Sequence, residues 1–483
     1  MKTNRIAPIS LIIVSIIVLG QFTLGFESAP AVAVPLTLRW NISPLLYQIS
    51  SNPVMVLVED LPNHARYISE TSYQDNNYRR FYDPAAFAQT EIALNFIKKT
   101  DARTTANGGI RYTYLQQYDL FSSLEKFHYR NYFGLIDSTN GDTHYDGPEL
   151  WINFGRLIGN HILIGTNLEY SVERSLKSRY TECESIVRNT SGGGGVGFLS
   201  TNKNVFSGIS LKYDNRQTTY EPYGEYSSAV VYSYSGNNVL MGAVTSKTPD
   251  KNVQINGYDI EYQLNWKKFL SSYFDIHIIA NQYVRETDVE LGGDKRKPIG
   301  YWSRTGNRYA ATVSYKPENR LINGRFIVES RQVIDWARSL DYNAVSLEND
   351  ENSINYDLLL SLRAGSDCSI YSKFEYLMRD IDYAEFIVPF NYTDILNSQY
   401  LALGLAGKSG LLTKVYMEAT IGYEELDYHW DADKLQYSGV GIGVERMYSF
   451  GTAGLDAVLK IAIPSSNQSG SIQSFNLQLF ILR

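Results

Sequence analysis

From Tyr258 to Trp266 every even position is apolar or aromatic, and every odd position (Asp259, Glu261, Gln263, Asn265) is polar or charged. A period of two marks a strand whose faces meet different surroundings. The same alternation runs through Val415, Met417, Ala419, Ile421 and Tyr423, set against Lys414, Tyr416, Glu418, Thr420, Gly422 and Glu424. It runs again through Ile354, Tyr356, Leu358, Leu360 and Leu362 against Asn355, Asp357, Ser361 and Arg363, with Leu359 out of step. Ile162 to Val172, Val205 to Tyr213 and Phe274 to Ala280 continue it. No comparably long stretch carries helical i, i+3, i+4, i+7 spacing.

Two kinds of connection separate these runs. Tight ones carry the Gly, Asn, Asp and Pro that hairpins need: Gly159-Asn160, Ser235-Gly236-Asn237, Lys316 to Asn319, Gly365 to Asp367, Gly407 to Gly410 and Tyr448 to Gly451. Longer polar ones cover Asp137–Pro148, Ser175–Asn189, Glu286–Tyr301, Ser339–Ser353 and Asp382–Ser398. The two kinds largely alternate. Counting back from the C-terminus gives hairpins near 450–483, 411–447, 368–407, 320–364, 270–315, 237–267, 204–234, 160–200, 122–157 and 88–117. The pattern predicts an all-β chain forming a transmembrane antiparallel up-and-down β-barrel, with short periplasmic turns and long extracellular loops. About 18 strands are expected, within roughly 14–22. A soluble β-sandwich fits less well, because its strands average only ~5–6 residues.

Composition sharpens this picture. The chain has 38 Tyr, suited to aromatic girdles where a ring meets lipid and its hydroxyl meets water. Its 51 acidic and 44 basic residues give a net charge of −7, against a nucleic-acid partner. Hydrophobic residues at 44% exclude a disordered chain. Lys2 and Arg5, the apolar run Ile9–Leu19 and the small residues after it read as a signal peptide over 1–25, with cleavage as late as 33. Residues 34–66 follow as a candidate lumen plug, and 67–483 as the barrel. Cys183 and Cys368 fall at opposite ends of that layout and are expected to stay unpaired.

The polar face of a barrel strand looks into the lumen. Asp259, Glu261, Asp275, His277, Asp357, Arg363, Glu375, Arg379, Lys414, Glu418 and Glu424 are therefore the expected lumen-lining residues. They mark either a solute path or a set of charges that pair and fill the barrel. Ser191 to Gly197 is glycine-rich but lacks the Lys and helix of a phosphate loop; it reads as a strand leaving room for a neighbour. His144 and His429 lie near Asp142, Asp146, Asp427 and Asp431, without an identifiable nucleophile. Asp142, Asp146 and Glu149 form a weak candidate for Ca²⁺. No catalytic, cofactor or resident metal site is expected.

With these features the chain resembles the Gram-negative outer-membrane β-barrels. Its last strand, Ser474 to Arg483, is similar to the alternating strand read by the barrel-assembly machinery, but it closes on Arg483 rather than an aromatic, leaving Phe480 as substitute. Ser51-Asn52-Pro53-Val54 resembles the Asn-Pro-Ala opening of the long-chain fatty-acid transporter family, with Val54 in place of Ala. The Tyr-rich habit and Gly147-Pro148-Glu149-Leu150-Trp151 resemble barrels of Bacteroidota-type genomes, from which no function carries over. The resemblance implies an outer-membrane location, lipid and the assembly machinery as partners, and a channel or transport path for a small-molecule solute. The alternative is a structural or surface-interaction barrel with a filled lumen; an outer-membrane hydrolase ranks behind both.

Overall fold

The computed structural model describes residues 50–482, apart from 60–61, 77–83, 121–132, 134, 138–139, 179–181, 224–230, 236–238, 245–249, 270–272, 293–295, 318–320, 365–367, 388, 410–411, 429–430, 449–450 and 465–469. The predicted signal segment, residues 34–49 and His429 lie outside the described residues. One four-residue helix, α1 (Met55–Val58), precedes a long series of strands. These are β1 (His64–Asn76), β2 (Ala86–Asp101), β3 (Thr104–Leu120), β4 (Leu135–Asp137), β5 (Gly141–Ile158), β6 (Ile162–Ser178) and β7 (Glu182–Leu199). Next come β8 (Val205–Tyr223), β9 (Val231–Ser235), β10 (Val239–Val244), β11 (Lys251–Phe269), β12 (Phe274–Leu291), β13 (Lys297–Tyr315) and β14 (Ile322–Ser339). The series ends with β15 (Ala344–Arg363), β16 (Cys368–Glu385), β17 (Phe390–Ser409), β18 (Leu412–Tyr428), β19 (Asp431–Tyr448), β20 (Gly451–Pro464) and β21 (Ile472–Leu482).

Eighteen strands form one sheet in which each pairs antiparallel with the next in the chain. The last returns to the first: Arg66 lies opposite Leu482 and Tyr73 opposite Phe475. Closure leaves no open edge. The remaining strands, β10, β9 and β4, make a separate three-stranded sheet. Predicted hairpins 122–157, 204–234 and 237–267 thus each give one arm to that small sheet. The missing barrel strand is β1, whose alternation is muted by Ser69 and Thr71 between Tyr67 and Tyr73.

The outer face carries the apolar half of each alternation. Tyr258, Ile260, Tyr262, Leu264 and Trp266 are exposed, while Glu261, Gln263 and Asn265 between them are buried. Leu358, Leu360 and Leu362, then Leu401, Leu403 and Leu405, and Met417 and Ile421, repeat the arrangement. Leu359, out of step in the sequence, is a fully buried inward residue. The apolar stretch runs roughly nine residues up each strand from one rim. With tilted strands rising ~3.3 Å per residue, that is about 20–25 Å, the height of a transmembrane apolar band. Tyrosines end it: Tyr213 and Tyr258 touch at 5.2 Å between ring centroids, and Tyr356 and Tyr376 at 6.1 Å. Such rings place carbon in lipid and hydroxyl in water.

The rim beside this band has the brief connections, among them 102–103, 159–161, 364–367 and 449–450. At the other rim the strands run on for several residues above the tyrosines. The polar stretches around 175–189, 286–301, 339–353 and 382–398 are mostly such strand extensions, not irregular loops. They are polar because they stand above the apolar band. Two long connections remain at that rim, 121–140 and 224–250, and they join each other through β4 and β9.

Candidate functional site

The lumen wall is a mesh of paired charges. Arg285 donates to Asp214 at 2.6 Å and to Asp259 at 2.8 Å. Lys212 bridges Glu169 and Asp214 at 3.2 and 3.5 Å. It reaches Glu169 across β7, where Gly193 stands between them; a Cβ there would lie 2.7 Å from Asn167 Oδ1. Arg111 joins Glu149 at 2.5 Å, Arg308 joins Glu329 at 2.8 Å, and Arg304 joins the buried Asp335 at 2.6 Å. Alternating the sign of charge around the wall spares each group the cost of facing an empty or like-charged neighbour.

Each residue singled out in the sequence has a definite place. Asp259 is in the Arg285 cluster. Glu261 holds the N-terminal segment through Ser50 and Ser51. Asp275 sits at the short-turn rim, bonded to Lys268 N–H and to Lys316. His277 is buried, and its Nε2 has no hydrogen-bond partner among the described residues. Asp357 pairs with Arg325 and Lys373. Glu375 pairs with Lys373, and Arg379 with Glu351 at 2.9 Å. Lys414 lies directly across from the buried Glu445. Glu424 accepts from Tyr400 at 3.2 Å. Glu375 and Glu418 border a cavity of about 330 Å³ in the wall. Arg363 is exposed at the short-turn rim.

Inside the short-turn end, residues 50–59 lie against β5–β8 and β11. Asn52 Oδ1 accepts from Val54 N–H at 3.2 Å, and the backbone then turns through Leu57 N–H to Val54 O and Glu59 N–H to Met55 O. Asn-Pro favours such a turn. It places Val54, Met55 and Val58 against Leu163 and Phe206, all buried. The wall beneath is floored by glycine. A Cβ at Gly195 would meet Asn52 Oδ1 at 2.1 Å, one at Gly155 would meet Leu57 at 2.9 Å, and one at Gly165 would meet Val54 at 3.1 Å. The polar side is tied as well: Ser50 Oγ and Ser51 N–H donate to Glu261 Oε1 at 2.8 and 3.0 Å. Lys267 Nζ donates to Val58 O at 2.8 Å.

At the far end, Phe133 reaches in from the 121–140 connection. It is buried with Val289, Ile299, Ala337 and Leu347, which belong to β12–β15. Gly300 leaves the space its ring fills, and Lys251 Nζ donates to its carbonyl. The connection that leaves β3 is therefore anchored on β11–β15, several strands further round the barrel.

Other candidates dissolve on inspection of their geometry. Asp146 faces outward and accepts from Tyr112 at 2.7 Å, whereas Glu149 faces inward to Arg111; the two carboxylates diverge. Asp142 accepts from Asp119 N–H. His144 stacks on Tyr114 at 6.3 Å. Among the described residues, no group of three or more His, Cys, Asp or Glu is placed to hold a metal ion. Cys183 and Cys368 are not joined by a disulfide. Phe480 faces the lumen, buried with Ala406 and Tyr416, so it is not a lipid-facing terminal aromatic.

Sequence reasoning passed over Arg285, Lys212, Lys373 and Lys460, although Lys212 lies on the polar face of the Val205–Tyr213 run and the parity of His277 and Glu375 continues to Arg285 and Lys373. Phe133 gave no signal: it is one aromatic within a connection.

No protein-family model matches the chain. No curated protein matches it either. Solved structures do. The outer-membrane transporter YddB from Escherichia coli is 6% identical, aligned over 86% of this chain and 80% of its own, with a TM-score of 0.39. BauA, the ferric preacinetobactin receptor from Acinetobacter baumannii, is 6% identical over 87% and 80%, with a TM-score of 0.41. The CymD monoaromatic hydrocarbon channel is 10% identical over 91% and 92%, with a TM-score of 0.33.

Proposed function

We propose that the protein is an outer-membrane channel that passes a small polar solute, with its short-turn rim toward the periplasm. The observation that carries the reading is the cross-section at the apolar band. Aliphatic side chains face out, ionised groups face in, and residues 50–59 are seated as a separable piece inside the inner mouth. A charge on the lipid face would cost roughly 2–4 kcal/mol at mid-membrane, so an inward ionised wall implies water behind it. Barrels of this strand number are wide enough for an aqueous path unless something occupies it. Residues 50–59 act as the inner closure, and Phe133 is seated against the wall inside the opposite end.

The paired charges support a second reading, a structural barrel with a filled lumen. Conductance separates the two. The refolded chain lacking residues 26–59 is expected to give discrete, stable steps in a planar bilayer, larger than those of the chain that keeps them. Silence from a folded, heat-modifiable barrel would sink the channel reading. A purified protein that stayed monomeric without detergent would sink the membrane reading itself.

Assembly fits the same proposal. The last strand offers Phe475, Leu477, Leu479 and Ile481 on its lipid face, and the assembly machinery would read this row rather than Phe480.

A further inference from the structure

On the wall facing residues 50–59, about half the barrel circumference away, five strands form a shallow dish. One transverse row runs Lys373, Ala402, Thr420, Gly439 and Lys460, each directly opposite the next on β16 to β20. The middle three residues are small, so the floor is low, and a lysine stands at each end. The adjoining row toward the long-loop side places Tyr400 and Tyr437 on either side of Gly422, with rings 5.6 Å apart and edge to face. The row on the other side supplies Glu418, and Glu375 stands beside Lys373. The volume of the dish is about 330 Å³. Ala419 and Ile421, on the opposite face of β18, belong to the apolar band, so the dish lies within the membrane-spanning height.

Its chemistry selects among solutes. The lining itself holds two ammonium groups and two carboxylates, and the carboxylates at its edge are already engaged, Asp357 by Arg325 and Lys373 and Glu424 by the Tyr400 hydroxyl, so the site offers no unmatched positive charge to draw in a free anion. Lys373 and Glu375 already satisfy each other, so a charged ligand would have to break that pair. A hydroxyl group need not, because it both donates and accepts. Thr420 adds a neutral partner at the floor. Two phenol rings beside a low floor suit the C–H face of a saturated ring. The volume lies at the lower end of the ~300–1,000 Å³ range of small-molecule sites. We infer that the dish formed by Lys373, Tyr400, Thr420, Tyr437 and Lys460 binds a neutral, hydroxyl-rich ring solute of mono- or disaccharide size. This deepens the channel reading and rests on it.

Calorimetric titration of the full chain in detergent micelles with maltose, sucrose and the zwitterion glycine betaine tests the site without needing an open channel. Saturable binding of a sugar is expected, weakened about tenfold or more by Thr420→Trp, which fills the floor from a lumen-facing position. If that variant fails to fold, Lys460→Met replaces it, with several-fold weaker binding expected. No saturable heat with either sugar would overturn the site, and so would unchanged binding in the variant. Tighter binding of glycine betaine than of either sugar would overturn the solute class. Conductance is measured on the same samples. Steps without sugar binding leave the channel and sink the dish, whereas sugar binding without conductance supports the dish and sinks the channel.

Discussion

Gly195 lies directly beneath Asn52: a Cβ on the glycine would stand 2.1 Å from the Asn52 carboxamide oxygen. The absence of one side chain on β7 is thus what admits the N-terminal segment to the lumen. Gly195→Val is expected to expel it while leaving the lipid face of β7, with Val196 and Phe198, untouched. Burying each of Val54 and Met55 contributes about 1.5–3 kcal/mol to docking, so expulsion should expose residues 50–59 to protease and enlarge the conductance steps while the barrel keeps its own ladder. Unchanged conductance in a folded Gly195→Val barrel would mean that the segment closes nothing.

The polar anchor gives an independent route to the same release. Glu261 accepts from both Ser50 and Ser51, and hydrogen bonds to a charged group contribute about 1.5–3 kcal/mol. Glu261→Ala should therefore resemble Gly195→Val in conductance. Combining the two should add little, because both act on one docked piece. Fully additive effects would show that Glu261 acts on something else.

Arg285 neutralises two carboxylates, Asp214 and Asp259, in a partly exposed cluster. Arg285→Met removes one positive charge from the wall, taking its ion pair from Asp259 and leaving Asp214 to Lys212 alone. Because the cluster is only partly open to water, the stability cost should fall between the ~1 kcal/mol of an exposed pair and the ~3–5 kcal/mol of a buried one. The electrical effect should be larger: in a salt gradient the reversal potential should move toward greater cation selectivity. A shift toward anions would contradict the placement of this cluster on the conducting path.

Much of this architecture was legible in the sequence because lipid enforces it. A one-residue slip turns a strand's polar face to the membrane, so alternation survives wherever the apolar band lies and falls away above it. That is why Tyr258 to Trp266 reads cleanly, while the strand extensions near 175–189 looked like loops. The inward charges were legible for the same reason, but their partners were not. Alternation says which side Asp259 faces and is silent on Arg285 arriving from the next strand. Asp146 and Glu149 look like one acidic cluster in the sequence, yet three residues along a strand is an odd step, which points them to opposite faces.

Above the band, Glu425 and Lys434 face each other across β18 and β19 at 2.5 Å. The Lys434 hydrogen bond and charge hold the Glu425 carboxyl below its ordinary value, and Glu425 holds the Lys434 ammonium above its own. A depressed carboxyl contributes stability that is present above its unfolded value and is lost as pH falls through the folded one. Acidification should therefore loosen this hairpin end, read as faster amide exchange near 425–434, and Lys434→Ala should move the loss to higher pH. Lys434 is exposed and Glu425 partly so, and added salt should therefore blunt the effect. An acid transition unaffected by Lys434→Ala would place its origin elsewhere.

Phe133 is buried at the long-loop end as Val54 and Met55 are at the short-turn end, but through a single ring. It is buried among Val289, Ile299, Ala337 and Leu347, over Gly300, where a Cβ would meet the ring at 2.1 Å. Truncating a buried Phe costs about 3–5 kcal/mol in a close-packed core. Here the cost falls on one connection, because the barrel strands keep their own ladder of hydrogen bonds. Phe133→Ala should therefore leave the barrel's thermal midpoint nearly unchanged while exposing the 121–140 connection to protease. Gly300→Leu should do the same by filling the seat from the wall side. If both variants resist protease like the parent, Phe133 is not what pins the connection, and the pinning must rest on the β4–β9 pairing.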